Sequence, residues 1–199
     1  MDNDAFSSDL DALAERWERQ WPDDDEHLPG RYALRDRWVR FHSLPGSKRY
    51  ADNDAEYAVL LGRHHTILDQ LGPHETELYV VTRHWDGHPA PVDRPAELRR
   101  ADPGARHWTS RVYDDYDPAD VCYEHQYVSR LPRTRQALDP LLRLVADDVI
   151  SGVTLAPADL RWLYHPYDGG GDVFAPSTEI RDALRAAHAD WLSARADGM

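Results

Sequence analysis

The run from Trp162 to Val173, WLYHPYDGGGDV, most restricts how this chain can fold, because an aromatic β-type segment there meets a proline, two aspartates and three successive glycines. Gly169, Gly170 and Gly171 have backbone angles open to them that other residues avoid, and Asp168 and Asp172 can accept from nearby backbone N–H groups. The composition demands a tight bend. It predicts a hairpin whose strands run over 160–165 and 172–174. A hairpin turn, a metal-binding bend and an anion-cradling loop share this composition, so its chemistry stays open.

The rest of the chain is read around that bend. The first helix is expected over 8–20, capped by Ser7 or Ser8, with Leu10, Leu13 and Trp17 as its apolar stripe. Aromatic and β-branched residues predict a strand over 32–43, closed by Leu44-Pro45-Gly46. Helical spacing of Tyr57, Leu60, Leu61, His64, Ile67, Leu68 and Leu71 predicts a helix over 54–71, stopped by Gly72-Pro73. Strands follow over 77–85, 107–113 and 121–130, with an irregular excursion over 86–103. A third helix is expected to start at Asp139-Pro140 and bury Leu141, Leu142, Val145 and Val149. Ser177 or Thr178 caps a last helix facing inward through Ile180, Leu184, His188 and Trp191.

Consecutive strands joined by short turns favour antiparallel pairing. The fold class read from the sequence is therefore α+β: a single, mainly antiparallel sheet of about five or six strands, with helices packed chiefly on one face. The first strand–helix–strand unit leaves a parallel crossover open. One domain over 1–199 is expected, with a peripheral N-terminal helix over 8–20.

Charge limits the partners. The 199 residues carry 36 carboxylates against 23 basic side chains, a formal net charge of -13 that repels nucleic-acid phosphates and anionic membranes at long range. Neither is an expected partner. Cys122 stands alone and excludes an internal disulfide. The start MDNDAFSSD has no basic or apolar leader character, so the expected address is cytoplasmic.

Three constellations carry candidate chemistry. Between Arg40 and Tyr50 the chain offers His42, Ser43, Ser47, Lys48 and Arg49 as donors for a phosphate, sulfate or carboxylate. The spacing is not that of a P-loop, and a solvated turn whose cations pair with carboxylates explains the same residues. Around the glycine bend, His165, Asp168 and Asp172 are candidates for acid–base work, set against a hairpin whose aspartates bond their own turn. No metal site and no cofactor is assigned, since His64, His65, His84 and His88 lack ligand spacing. The third constellation is Asp114, Asp115, Tyr116 and Asp117, an acidic aromatic segment suited to steering a basic protein partner or simply to lying solvated.

The runs RFHSLPGSKRY, LYHPYDGGGDV and the closing DWLS resemble an uncharacterised bacterial, actinobacterial-type domain family of unknown function over about Trp38 to Ser193. The Tyr-Asp-Gly-Gly turn is also similar to that of a broader group. The resemblance implies a bacterial cytosolic protein and carries no catalytic residue across.

Two readings follow. The first is a non-enzymatic binding protein, immunity- or antitoxin-like, that holds a basic protein through its acidic aromatic surface. The second is a small enzyme or ligand-binding domain for a phosphorylated or carboxylated metabolite. It requires the 42–50 and 165–172 loops to meet in space.

Overall fold

The computed structural model describes residues 3–21, 34–91, 93–113 and 121–193. In chain order these form α1 (Asn3–Gln20), β1 (Trp38–His42), α2 (Asp54–Leu71), β2 (Glu77–Asp86), α3 (Ala96–Ala101) and β3 (Arg106–Tyr113). There follow β4 (Cys122–Pro132), α4 (Arg135–Ala146), β5 (Thr154–Ala156), β6 (Leu163–Tyr167), β7 (Gly170–Phe174) and α5 (Thr178–Ala187).

The strands make one antiparallel sheet in the order β1-β7-β6-β5-β2-β4-β3. It has seven strands, not the expected five or six. The strand missing from the sequence reading is β5, whose three residues are too few to show a period, although Tyr79, Val80 and Val81 of β2 pair with all three. β1 and β2 point the same way, but β7, β6 and β5 lie between them, so the α2 connection makes no adjacent parallel pair.

Strand alternation divides the core. Leu78 and Val80 pack into one apolar cluster with residues of α2, α4 and α5, including Leu60, Leu68, Leu141, Leu142 and Leu184. Tyr79 and Val81 belong to a second cluster, with Leu13 and Trp17 of α1, Trp21, Leu160 and Phe174. Leu13 and Trp17, a helical turn apart, are both buried there.

Local signals set the boundaries where a cap is present. Asn53 accepts from the Glu56 N–H at 3.1 Å, and the Gly72 N–H closes α2 on the Leu68 carbonyl at 3.0 Å. α4 departs from expectation. Its cap is Thr134, which accepts from the Ala137 N–H, so Pro140 sits inside the helix rather than at its first position. Val149 falls beyond the end of α4, after Asp148 at φ 56°, and is exposed instead of buried. Two further expectations fail. The excursion after β2 contains α3, anchored by buried Leu98, and Ile180 of α5 faces outward. α1 starts at Asn3 and passes through Ser7 and Ser8, which therefore do not cap it. The first strand is shorter than read, because a 3-10 turn occupies Arg35–Arg37. No helix among the described residues is long and apolar enough to cross a membrane.

Candidate functional site

The 42–50 segment leaves the end of β1 and crosses the β6–β7 hairpin. β1 pairs with β7 from Trp38↔Phe174 to His42↔Gly170, so its next residue arrives beside the turn Asp168-Gly169. The Ser43 N–H then donates to the Gly169 carbonyl at 3.0 Å. Arg49 Nε donates to Asp168 Oδ2, and the Tyr50 hydroxyl donates to the same oxygen at 3.0 Å. The two loops meet.

Their charges are largely spent on each other. Arg40 grips the fully buried Asp172 through two bonds, Nε to Oδ1 at 2.8 Å and an NH2-group hydrogen to Oδ2 at 2.7 Å. Burial works against the Arg40 charge, but the Asp172 bonds outweigh it and raise the guanidinium above its ordinary pKa. The same guanidinium lies over the Tyr167 ring, 4.6 Å from its centre. Burial drives the Tyr167 hydroxyl up to about 12, partly offset by Arg40. Lys48 is not part of this crossing: its Nζ meets Asp52 at 2.7 Å and Glu56 at 2.5 Å. Ser47 is exposed, at φ 58°. His165 stands in the register row Arg40–Asp172–His165, with its Nδ1 3.4 Å from Thr154 Oγ1.

A shallow cleft, open to solvent, lies on the opposite side of β7. Phe41, Ser43, Arg63, His64, Tyr164 and Trp191 line it, together with Gly170 and Gly171. Ser43 is 2% exposed and its hydroxyl has no hydrogen-bond partner among the described residues. Arg63 donates to the His42 carbonyl at 2.9 Å and stacks over Trp191 at 4.8 Å, yet meets no carboxylate at salt-bridge distance among the described residues. Burial lowers its pKa and Asp190 opposes the shift, but a guanidinium remains charged. His64 Nδ1 lies 2.5 Å from the Tyr164 hydroxyl. Burial, then neighbouring His65, lowers His64 to about 3, and burial carries Tyr164 well above its usual value, so both are neutral at pH 7. Burial also lowers His42, whose Nε2 is buried without a hydrogen-bond partner among the described residues.

Of the candidates read from the sequence, Ser43, Arg49 and Asp168 come together directly, Asp172 joins through Arg40, and Lys48 does not. Asp114, Asp115, Tyr116 and Asp117 lie outside the described residues, as does the acidic run at 23–26. Sequence reasoning missed Arg63, Tyr164 and Trp191 as neighbours. Gly171, whose missing side chain makes room for Tyr164, reads in the sequence only as a bend residue.

An antiparallel α+β domain with a polar loop fastened over a glycine hairpin defines an architecture rather than an activity. The chain belongs to the family described as Domain of unknown function (DUF3885), whose model matches residues 30–196. Comparisons with curated proteins and with solved structures return no match.

Proposed function

We propose that this chain is a ligand-binding domain that takes the anionic group of a small carboxylated or phosphorylated metabolite in the cleft beside the loop crossing. The observation that carries this reading is Ser43, a buried hydroxyl without a hydrogen-bond partner among the described residues, in the same cleft as a guanidinium that meets no carboxylate at salt-bridge distance among them. Leaving such a hydroxyl unpaired costs about 1–3 kcal/mol, and a ligand oxygen accepting from it removes that cost. Arg63 supplies the fixed charge, and its fork suits a planar carboxylate or a phosphate. Arg49 is tied to Asp168 and plays no part in charge recognition.

Calorimetric titration with succinate, inorganic phosphate and a sugar phosphate tests this. Binding of at least one is expected, lost in Arg63→Gln, weakened in Ser43→Ala and retained in Lys48→Gln. Absence of heat with all three, or binding indifferent to Arg63→Gln, would refute it.

A second reading, capture of a basic protein partner, is supported by the net charge of -13. It predicts a stoichiometric partner retained from lysate at low salt and released at moderate salt. Triple substitution of Asp114, Asp115 and Asp117 should slow that association, and an unchanged on-rate would count against steering.

A further inference from the structure

At the far end of the sheet, beneath the excursion after β2, one register row runs across three strands from Ser110 through His125 to His84. Ser110 Oγ is 2.7 Å from His125 Nδ1, and His107 Nε2 stands 2.8 Å from the same oxygen. The second ring nitrogen of His125, Nε2, is 3.0 Å from the His88 carbonyl and 3.6 Å from Asp86 Oδ1. A carbonyl can only accept, so Nε2 carries the hydrogen. In the neutral ring Nδ1 is then left as an acceptor aimed at the Ser110 hydroxyl. Burial acts to raise the Asp86 carboxyl. The His88 N–H, at 2.6 Å, and the surrounding imidazoles outweigh burial and hold the group below its ordinary value, so it is ionised at neutral pH. Ser110 itself is only half-buried, on β3 at the open edge of the sheet.

We propose that Ser110 is a nucleophilic serine, with His125 as its general base and Asp86 as the carboxylate that stabilises the imidazolium, and that it accepts an acyl group from a small activated ester. The arrangement meets the general requirement for an activated hydroxyl: a base within hydrogen-bond reach, itself oriented by a third group, here the His88 carbonyl, with Asp86 at 3.6 Å adding its charge. In the step, the Ser110 Oγ–carbonyl carbon bond forms as the hydroxyl proton passes to His125 Nδ1. The carbon–oxygen bond to the leaving aryloxide then breaks, and the proton departs from His125 to the aryloxide or to water. No oxidant or metal is required. His84 and His88 face Asp86 at 3.7 Å and 3.4 Å, and Tyr123 stacks on His125, so the base is held from several elements. This centre is independent of the cleft lined by Ser43 and Arg63.

The test is incubation of the full chain with p-nitrophenyl acetate, followed by intact mass and peptide mapping. One acetyl group is expected on Ser110 and none in Ser110→Ala. His125→Gln, with folding checked by circular dichroism, should slow acylation about a hundredfold or more, the lower range for loss of a general base. Lys48→Gln, which lies outside this cluster, should leave the adduct on Ser110. An unmodified folded protein, an adduct elsewhere that persists in Ser110→Ala, or a rate unchanged in folded His125→Gln would each overturn the proposal.

Discussion

A Cβ placed on Gly171 would lie 2.2 Å from the Tyr164 hydroxyl, the same hydroxyl that sits 2.5 Å from His64 Nδ1. The glycine and the buried dyad therefore occupy one space. Gly171→Ala should displace Tyr164 and destabilise the fold by about 2–4 kcal/mol, the range for overpacking combined with a broken buried hydrogen bond. Gly170 differs, since its added Cβ would meet the Phe41 backbone carbonyl at 1.9 Å. Urea unfolding of a double-mutant cycle separates them: Tyr164→Leu should rescue part of Gly171→Ala and none of Gly170→Ala.

The Arg40–Asp172 pair sets a second expectation. Asp172 is fully buried, so Arg40→Leu leaves a charge with no compensation and should cost about 3–5 kcal/mol. The double variant Arg40→Leu with Asp172→Asn removes both charges and should recover much of that loss. Equal loss in the single and double variants would mean that packing over Tyr167, not charge, is what Arg40 provides.

These two relationships show why the hairpin was legible while the reason for its glycines was not. The bend at 168–169 follows from composition. None of Gly169, Gly170 and Gly171, however, takes a left-handed angle; Gly170 and Gly171 instead sit in β7, cleared for a neighbouring carbonyl and a neighbouring ring. That clearance depends on what the pairing brings alongside, Phe41 from distant β1 and Tyr164 from β6. Likewise, α2 was readable because Asn53 and Gly72 punctuate a long apolar period, whereas β5 has three residues and no period of its own. The meeting of the 42–50 and 165–172 loops was posed by the sequence but decided by register: His42 opposite Gly170 brings Ser43 to Gly169. Arg63 gave no signal, since nothing local distinguishes it from a surface residue, and Trp191 read only as an inward-facing residue of the last helix.

His64 should make the fold acid-sensitive. In the unfolded chain an imidazole protonates near ~6.5, whereas burial holds His64 at about 3 in the fold. Between those values the folded state binds fewer protons. The contribution is therefore complete above ~6.5 and is lost as the pH falls towards about 3, at up to ~1.4 kcal/mol per pH unit. His64→Gln keeps an acceptor for Tyr164 and does not titrate. Its stability, measured by urea unfolding between about pH 6 and pH 4, should fall less steeply than that of the parent. Parallel slopes would remove His64 from the account.

Pro140 offers a stabilising change. It lies five residues into α4, where its nitrogen has no hydrogen for the carbonyl four residues earlier and its ring crowds that turn. The helix forms nonetheless, because Leu138, Leu141, Leu142 and Val145 are all buried and Thr134 caps the start. Tertiary packing has overridden the local preference that places a proline at a helix start. Pro140→Ala restores a backbone donor without touching those contacts, at the expense of a more flexible unfolded chain. The helical gain of up to about 3 kcal/mol, less an unfolded-state term of about 0.4–1 kcal/mol, leaves a net stabilisation of about 1–2 kcal/mol once some existing accommodation is allowed for. A higher urea midpoint at unchanged m-value is the expected result. A lower midpoint would show that Pro140 is needed to seat α4 on β4 and β6.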